Sequence, residues 1–406
     1  MHPKNLSIKD FTYDLPNDRI AVYPTHPRDS SKLLVYKNGK INHDVYRNMS
    51  SHLPKNSVLV FNNTKVIKSR ILFRRETGAI IELFCLEPYG EFTDYASFFQ
   101  QQKSATWKCF VGKANKWKEQ FLVRTIQVNG KDVELKAELL ERIPGAYVVR
   151  LSWTPEELSL AEVVEAAGVT PLPPYIKRKA EEADIEDYQT VFSEHEGSVA
   201  APTAGLHFSN AMMQDFKDQD ISTLFTTLHV GAGTFKPVST DTMEGHIMHA
   251  EWMHLELDFL EDLVQNIDKN IFSVGTTATR TLESIYWMGN KILNQPNIVL
   301  EDLKVQQWEP YETDKTHSAK EAITALIQWM KEHGLDHLVM ETEIIIAPSY
   351  TYRVIKGLIT NFHQPQSTLL LLVAALLGDN WKKVYEYAME NDFRFLSYGD
   401  GSLLIP

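Results

Sequence analysis

The sequence predicts an α/β domain with at least partly parallel strands, interrupted by a small all-β module. Strand, loop and helix alternate through the second half of the chain, as parallel sheets require. From Ser57 to about Trp153, short runs rich in Val, Ile, Phe and Trp follow one another without helices, and Asn129-Gly130 marks a hairpin. We expect this module to be a barrel or a sandwich inserted into the α/β domain.

The composition is that of an ordinary globular protein. The 406 residues are 43% hydrophobic and 23% charged, and two cysteines give neither a disulfide framework nor a metal-ligand spacing. The longest apolar run, Leu369 to Leu377, is about half the length that spans a bilayer, so we expect a buried helix between Ser367 and Gly378. These features predict a cytoplasmic protein with no membrane segment.

The charge pattern gives a mixed indication about nucleic acids. The net charge of −12 argues against binding them through overall charge. Basic residues nevertheless cluster at 65–75, 103–118 and 177–179, and Trp107 and Trp117 lie within the second cluster. Basic residues beside aromatic rings suit phosphate contact and base stacking, although solvated strand faces explain any single cluster more simply.

The segment after the all-β module predicts a helix with clear ends. Thr154 is its expected N-cap, Pro155 lies in the first turn, Glu157 completes a capping box and Gly168 ends it. The prolines of TPLPPYIKRK then impose an extended path, which fixes the position of Arg178.

Three loops of the α/β domain are each predicted to follow a strand. Strands are predicted in STLFTTLHV, IFSVG, EIIIAP and KGLIT, and a helix over Asn210–Lys217. The loops are LHVGAGTF, VGTTATR and ITNFHQP. Because ligands bind at the carboxyl ends of parallel strands, we expect these loops to form one composite site. Residues 290 to about 341 are polar and end in an amphipathic helix, and we interpret them as an insertion or surface excursion.

Two stretches have the composition of a binding site. Gly197–Phe208, GSVAAPTAGLHF, contains small residues that let a backbone approach a ligand, and a His207 that can titrate near neutral pH. A tight loop with a buried, hydrogen-bonded histidine is the alternative. Thr276 and Thr277 place two hydroxyls at a predicted helix N-terminus, which suits an anion or polar ligand, with Arg280 about one turn further on.

Several classes of enzyme lack their motifs here. Neither glycine-rich phosphate loop, G-x-G-x-x-G or G-x-x-x-x-G-K, is present, and no G-x-S-x-G elbow supports a serine hydrolase. The segment HIMHAE places His246, His249 and Glu251 together, which could ligate a metal. Its spacing differs from H-E-x-x-H, so a hydrogen-bonded polar cluster or an acid–base group is the favoured interpretation.

Together, the motifs closely resemble one family, the S-adenosylmethionine:tRNA ribosyltransferase-isomerases of queuosine biosynthesis. The matching stretches are IAVYPTHPRDSSKLLVY, LVFNNTKVIKSRI, PLPPYIKR, YQTVFSEHEGSVAAPTAGLHF, TLHVGAGTFKPV, HIMHAE, VGTTATRTLES, LITNFH with PQSTLLLLV, and RFLSYGDG. The resemblance implies a three-layer α/β domain with a mixed sheet, residues 1–60 and 151–406. It also implies an inserted antiparallel β-barrel domain, residues 61–150.

The resemblance also implies a reaction. The ribosyl group of S-adenosylmethionine is transferred to 7-aminomethyl-7-deazaguanine at the wobble position of tRNA and isomerised, giving epoxyqueuosine, adenine and methionine. The sulfonium acidifies its neighbouring carbon, so a base can remove a proton there, and the departing adenine needs a proton or a hydrogen bond. We therefore expect S-adenosylmethionine as co-substrate, a tRNA with a GUN-type anticodon as partner, no metal, and a monomer.

Site roles follow from the resemblance as expectations. The expected catalytic residues are His207, His229 and Asp400. The expected cofactor-binding residues are Thr203, Gly205, Gly231, Gly233, Thr276, Thr277 and Arg280. The expected substrate-binding or RNA-binding residues are Arg28, Lys113, Arg178, Asn361, His363 and Tyr398.

The chain departs from the family pattern in several places. Gln364 stands where Leu is usual, Ser349 where a Pro-Gly pair has its glycine, and Lys356 near a usual Asp, and the 290–341 segment is unusually long. Two alternatives therefore stay open. One is a divergent nucleoside-directed or metal-assisted hydrolase that uses the HIMHAE group, and the other is a catalytically silent tRNA-binding protein.

Overall fold

The computed structural model describes residues 2–90, 94–231, 238 and 240–406. The strands in chain order are β1 Lys32–Lys37, β2 Lys40–Val45, β3 Ser57–Asn62, β4 Thr64–Val66, β5 Arg70–Arg74, β6 Ile80–Pro88, β7 Ser104–Gly112, β8 Phe121–Val128, β9 Lys131–Ile143, β10 Ala146–Thr154, β11 Gly168–Val169, β12 His195–Ser198, β13 Ser222–His229, β14 Glu251–Glu256, β15 Asn270–Val274, β16 His337–Thr342, β17 Gly357–Asn361 and β18 Gly401–Ile405. The α-helices are α1 Tyr95–Phe99, α2 Leu160–Ala167, α3 Asp184–Asp187, α4 Asn210–Asp218, α5 Leu257–Gln265, α6 Gly275–Asn294, α7 Glu309–Glu312, α8 Ala319–Glu332, α9 Thr368–Leu377 and α10 Asn380–Glu390.

The larger sheet has nine strands in the order β16-β14-β13-β3-β15-β17-β18-β1-β2. The neighbours β13, β3, β15 and β17 run parallel. Antiparallel pairs flank this central set: β14 pairs with β13, β16 pairs with β14, and β18 pairs with β17. The prediction of a mixed sheet is therefore confirmed. Because the four central strands share a direction, their carboxyl ends lie at one edge, as predicted for the three loops.

Side chains of the larger sheet alternate between two covered faces. On β3, Val58 and Val60 belong to the core formed with α5, α6, α8, α9 and α10, whereas Leu59 and Phe61 pack with the buried side of α4. This alternation follows from the two-residue repeat of a strand. Helices therefore cover both faces of the sheet, and its strands are apolar on both sides.

The smaller sheet is antiparallel and curled. Its seven strands have the order β11-β5-β6-β7-β10-β9-β8, and α2 packs against β5, β8 and β11, strands from both ends of that order. It is a half-barrel among the described residues, because β8 and β11 do not pair with each other. A closed barrel and domain boundaries at 61 and 150 stay predictions. Trp107 and Trp117 lie buried in its core, so neither ring is available to stack on a base.

Helix α2 begins later than predicted. Thr154 ends β10, and the N-cap is Ser159, whose hydroxyl and Glu162 form the capping box. Both pairs fit the same cap pattern, and the later start turns Leu160 and Val163 into the core of the smaller sheet. Gly168 ends the helix as predicted.

The EIIIAP segment is not a strand. Residue Thr342 ends β16, and the buried Ile344, Ile345 and Ile346 that follow have no strand partner among the described residues. The Tyr311 hydroxyl donates to the Ile345 oxygen at 3.0 Å, so a side chain satisfies a backbone group that a neighbouring strand would otherwise bind.

The 290–341 segment is part of the core, so its interpretation as a surface excursion is wrong. Helix α8 packs on α6 and buries Ile323, Leu326 and Met330 in the main core, and β16 extends the larger sheet. The two helices approach so closely that a Cβ on Gly289 would lie 1.9 Å from the Ala322 oxygen. Whether the segment is longer than in the rest of the family stays a prediction.

The apolar run forms a buried helix as predicted. Helix α9 begins after Ser367, whose side chain accepts a hydrogen bond from the Leu370 nitrogen, and ends at Gly378. Among the described helices, none is both long enough and apolar enough to cross a membrane.

Candidate active site

A pocket lies where the loops after β13, β15 and β17 meet. Among the described residues, its lining comes from those loops, from the small-residue stretch and from the segments near residues 175, 188 and 396. Of the predicted site residues it contains Thr203, Thr276, Thr277, Asn361 and His363. The other lining residues are Tyr175, Tyr188, Ala200, Ala201, Pro202, Ala204, Val230, Gly275, Thr360, Phe362, Gln364, Ser367, Leu369, Leu396 and Ser397. Residues from all three predicted loops therefore line one cavity at this edge of the sheet, and its role as the site stays a prediction.

The side chain of Asn361 is held by two neighbours at the end of β17. Its Nδ2 lies 3.1 Å from the Leu396 oxygen and 3.0 Å from Nε2 of His207. The His207 ring is buried and stacks on Tyr46 with 4.3 Å between ring centroids. His207 thus lies behind Asn361 and is not among the described lining residues of the pocket.

Leu396 adopts a backbone conformation that is costly for its residue type. Its φ is +67°, in the left-handed region that bulky side chains rarely adopt. Its nitrogen donates to the Phe362 oxygen at 3.2 Å, and its own oxygen accepts from Asn361. The carbonyl of this strained residue therefore accepts from the Asn361 amide beside the pocket. Strained backbone conformations cluster at functional sites.

Three buried polar atoms on lining residues lack partners. Among the described residues, Oγ1 of Thr277, Oδ1 of Asn361 and the hydroxyl oxygen of Tyr188 have no hydrogen-bond partner. A buried polar atom left unpaired costs about 1–3 kcal/mol, and most such atoms in folded proteins are satisfied. All three atoms are therefore available to a bound ligand.

The three buried histidines are neutral at pH 7, so the expectation that His207 titrates near neutral pH is wrong. Burial lowers the pKa of His207, His229 and His363 to about 3 in each case. His363 lines the pocket, and its Nε2 lies 2.9 Å from Oγ1 of Thr360.

His229 lies in a different cavity, here called the seam cavity. It is lined by Tyr95 and other residues of α1, and by β13 and β14 side chains, so it lies between the two sheets. Nδ1 of His229 is 3.0 Å from Oγ1 of Thr64, and the ring packs 4.2 Å from that of Tyr95. The structure does not bring His229 to the pocket that contains Asn361.

Arg280 is neutralised inside the protein. Its guanidinium forms a buried ion pair with Glu251 and donates to the Thr342 and Ile344 oxygens. Nε2 of His249 lies 3.3 Å from the other oxygen of Glu251. The Glu251 carboxylate is thus shared between Arg280 and His249. Among the described residues, no group of three side chains that could hold a metal ion occurs.

Most of the other predicted polar residues serve internal contacts. Arg178 forms a two-bond ion pair with Asp184 at 2.6 and 2.7 Å, and Tyr398 donates to the same carboxylate at 2.9 Å. Arg28 donates to the Gln189 oxygen at 3.0 Å. These side chains brace the 178–189 segment.

Asp400 connects the start of β1 with the segment that precedes β18. Its carboxylate accepts from the backbone nitrogens of Lys32 at 2.9 Å and Arg394 at 2.8 Å. It is absent from the described lining of the pocket, and its catalytic role stays a prediction.

The remaining predicted residues are dispersed. Lys113 is exposed at the end of β7 in the smaller sheet. Gly205 packs so tightly that a Cβ would lie 2.8 Å from Phe192 and Thr190, whereas no atom of the described residues lies within 4 Å of a Cβ built on Gly231. Gly233 lies outside the described residues.

The basic clusters are largely paired with carboxylates. Lys65, Lys68, Arg70, Arg75 and Lys108 each form an ion pair, with Glu196, Glu165, Glu82, Glu119 and Glu87 respectively. A solvated strand face is therefore the better description of the first cluster. The partners come from elsewhere in the chain, so local sequence could not reveal them.

Sequence reasoning missed Tyr188, Ser397 and Leu396 as lining residues. Oγ of Ser397 lies 2.6 Å from the Tyr175 hydroxyl. SYGDG is a polar stretch after an apolar run, which pointed to Tyr398 and Asp400, but its first residue is the one that faces the pocket. Among the family departures, Gln364 lies in the pocket lining, and Ser349 has a φ of +85°, which favours glycine.

A mixed α/β sheet with a pocket at the carboxyl edge of its parallel strands places the chain among the α/β proteins that bind a ligand at this edge. The chain belongs to the family of queuosine biosynthesis proteins, whose sequence model matches residues 8–404. It is 35% identical to the S-adenosylmethionine:tRNA ribosyltransferase-isomerase of Chlorobium luteolum, over 98% of this chain and 100% of that protein. It is 36% identical to the protein of the same name from Novosphingobium aromaticivorans, over 98% of each chain.

A solved structure with a related name is also similar. The S-adenosylmethionine tRNA ribosyltransferase of Thermotoga maritima is 23% identical, with a TM-score of 0.46 over 98% of this chain and 100% of that chain. The family model and the relatives from Chlorobium luteolum and Novosphingobium aromaticivorans do not favour the hydrolase alternative.

Proposed function

We propose that the pocket at the carboxyl edge is the active site, and that this chain performs there the reaction for which its relatives are named. It is the S-adenosylmethionine:tRNA ribosyltransferase-isomerase reaction of queuosine biosynthesis. The observation that carries the placement is the convergence of predicted loops on one cavity with three partnerless buried atoms, Thr277 Oγ1, Asn361 Oδ1 and the Tyr188 hydroxyl oxygen.

The described lining suits S-adenosylmethionine. Val230, Leu369 and Phe362 offer apolar surface for a flat base, while Thr276, Thr277 and Asn361 offer polar groups for its ring nitrogens, hydroxyls or amino groups. No charged side chain occurs among the described lining residues. We infer that binding depends on hydrogen bonds and on shape. The contribution of Arg280 is then its buried ion pair with Glu251 inside the protein.

The reaction needs a base beside the sulfonium carbon and a donor for the departing adenine. His363 is the candidate for proton transfer by position, because it is the histidine among the described lining residues; burial lowers its pKa to about 3, so it is a weak base there. The catalytic roles first expected for His207, His229 and Asp400 stay predictions with no geometric support at this pocket.

The tRNA partner is proposed from the relatives' names, and the GUN-type anticodon from the resemblance. Lys113 stays a candidate for RNA contact, since it is exposed, whereas Arg28 and Arg178 are already bound within the protein. A monomer stays a prediction, and light scattering of the purified protein would test it.

The test is product formation. The protein is incubated with S-adenosylmethionine and tRNA carrying the aminomethyl-deazaguanine base, and adenine, methionine and a heavier tRNA nucleoside are measured. The Thr277→Val variant should lose about tenfold in kcat/KM, because it removes a polar atom reserved for the ligand. Thr226→Val is the matched control, since its hydroxyl is also buried and unpartnered among the described residues but lies outside the pocket. Equal activity of both variants would place the site elsewhere.

A further inference from the structure

The hydrogen bonds around Asn361 determine which way its amide faces. The Leu396 oxygen accepts a hydrogen bond, so the NH2 side of the amide must face it, and the assignment of Nδ2 is fixed by chemistry. The same NH2 group faces Nε2 of His207 at 3.0 Å. His207 must therefore accept at Nε2, and the proton of the neutral ring lies on Nδ1.

That arrangement occupies the reactive nitrogen of His207. An acid–base catalyst has to reach the atom whose proton it transfers. Nε2 of His207 is bound to Asn361, one face of the ring is stacked on Tyr46, and the residue is absent from the described pocket lining. Oδ1 of Asn361 is buried and has no partner among the described residues.

We propose that His207 is a positioning residue, whose Nε2 holds the Asn361 amide so that Oδ1 accepts a hydrogen bond from bound S-adenosylmethionine. The donor is a hydroxyl or amino group of that molecule, because Oδ1 can only accept. The inference rests on the proposed function of the same pocket. It separates His207 from the chemistry and assigns the substrate contact to Asn361.

The burial of the ring supports this role. Burial lowers the pKa of His207 to about 3, helped by the charges of Arg394 and Arg28, so Nε2 stays unprotonated over the whole working pH range. The acceptor that orients Asn361 is thus permanent, which a positioning group requires and a titrating base does not.

Three substitutions separate the possible roles of His207. His207→Gln places an amide oxygen near the position of Nε2, His207→Asn places one near Nδ1, and His207→Phe keeps the ring on Tyr46 without any acceptor. We expect the Gln variant to bind S-adenosylmethionine and turn over within about threefold of the unmodified chain. The Asn and Phe variants should lose about tenfold or more in both.

Two outcomes would overturn the proposal. A Gln variant as impaired as the Phe variant would show that an imidazole is needed, as for a base. Equal performance of all three variants would show that the acceptor is not needed.

A double-mutant cycle keeps the test independent of general effects on folding. In an Asn361→Ala background, His207→Phe should cause no further loss, because His207 acts through the amide that has been removed. A further loss of several-fold would contradict that route. Thermal unfolding of each variant shows whether the fold is retained.

Calorimetric binding of S-adenosylmethionine distinguishes this inference from the proposed function. If the unmodified chain releases no adenine from substrate tRNA, the proposed reaction fails. The order of the dissociation constants, with Gln close to the unmodified chain and Phe and Asn weaker, still decides the role of His207.

Discussion

The three buried histidines predict a strong loss of stability in mild acid. In the folded protein the pKa of His207, His229 and His363 is about 3, against about 6.5 when the chain is unfolded. A histidine with a lowered pKa stabilises the fold fully above pH 6.5, and this contribution is lost as the pH falls from 6.5 towards 3. The unfolded state binds the proton and the folded state does not.

The size of the effect follows from proton linkage. Between pH 7 and pH 5, each of these histidines should lower the free energy of unfolding by about 2 kcal/mol. Three together amount to about 6 kcal/mol, which is comparable to the whole stability of many domains. We therefore expect this protein to unfold at a markedly lower temperature or urea concentration at pH 5 than at pH 7.

Two measurements test the reasoning. The Cε1 proton resonances of the three rings, assigned with single His→Gln variants, should not titrate in the folded protein between pH 8 and pH 5. Urea unfolding of His207→Gln should depend less on pH, by about 1.4 kcal/mol per pH unit near pH 5. Resonances that shift with a midpoint near pH 6.5, or a variant with an unchanged pH dependence, would refute the burial argument.

Three further predictions concern single positions. Glu283→Gln should lower the free energy of unfolding by about 2–4 kcal/mol in urea, because the buried carboxylate accepts from Tyr350 and three backbone nitrogens, some of which would then face an NH2 group. Ser349→Gly should raise the free energy of unfolding by about 0.5 kcal/mol, and the melting temperature slightly with it, because φ is +85° at this exposed residue. A lower melting temperature would contradict this prediction. Ser397→Asp should tighten binding of S-adenosylmethionine while lowering kcat, and steady-state kinetics with both constants measured would reveal an unchanged kcat if this is wrong.

The meeting of the loops at one cavity could be predicted because its signals are local, whereas the roles of the lining residues stay predictions. A strand followed by a loop of small or polar residues can be recognised without knowing the fold, and parallel strands bring such loops to one edge. Thr276, Thr277, Asn361 and His363 were found in this way. The predicted start of α2 was wrong because Thr154 and Ser159 have equivalent N-cap patterns. Only the burial of the side chains that follow decides between the two.

The chemical state of the side chains could not be predicted because it depends on distant residues. Arg280 suits an anionic ligand by sequence, yet Glu251, from another strand, already neutralises it. From its residue type alone, His207 would be expected to have the usual histidine pKa. Its burial beneath Asn361 lowers that pKa and makes the ring a neutral hydrogen-bond acceptor. Motifs therefore indicate which residues gather, while partners determine what each can do.

The uncharged lining is the property that connects the pocket with the proposed reaction. Among the described lining residues there is no Asp, Glu, Lys or Arg, so a positively charged sulfonium placed there gains no counter-ion. A charge in a low-dielectric site without a partner is costly, and the cost disappears when methionine leaves as a neutral thioether. A carboxylate at Ser397 would stabilise the charged reactant more than the transition state in which that charge is being lost. We therefore expect tighter binding and slower turnover together, since an interaction accelerates a step only if it strengthens towards the transition state.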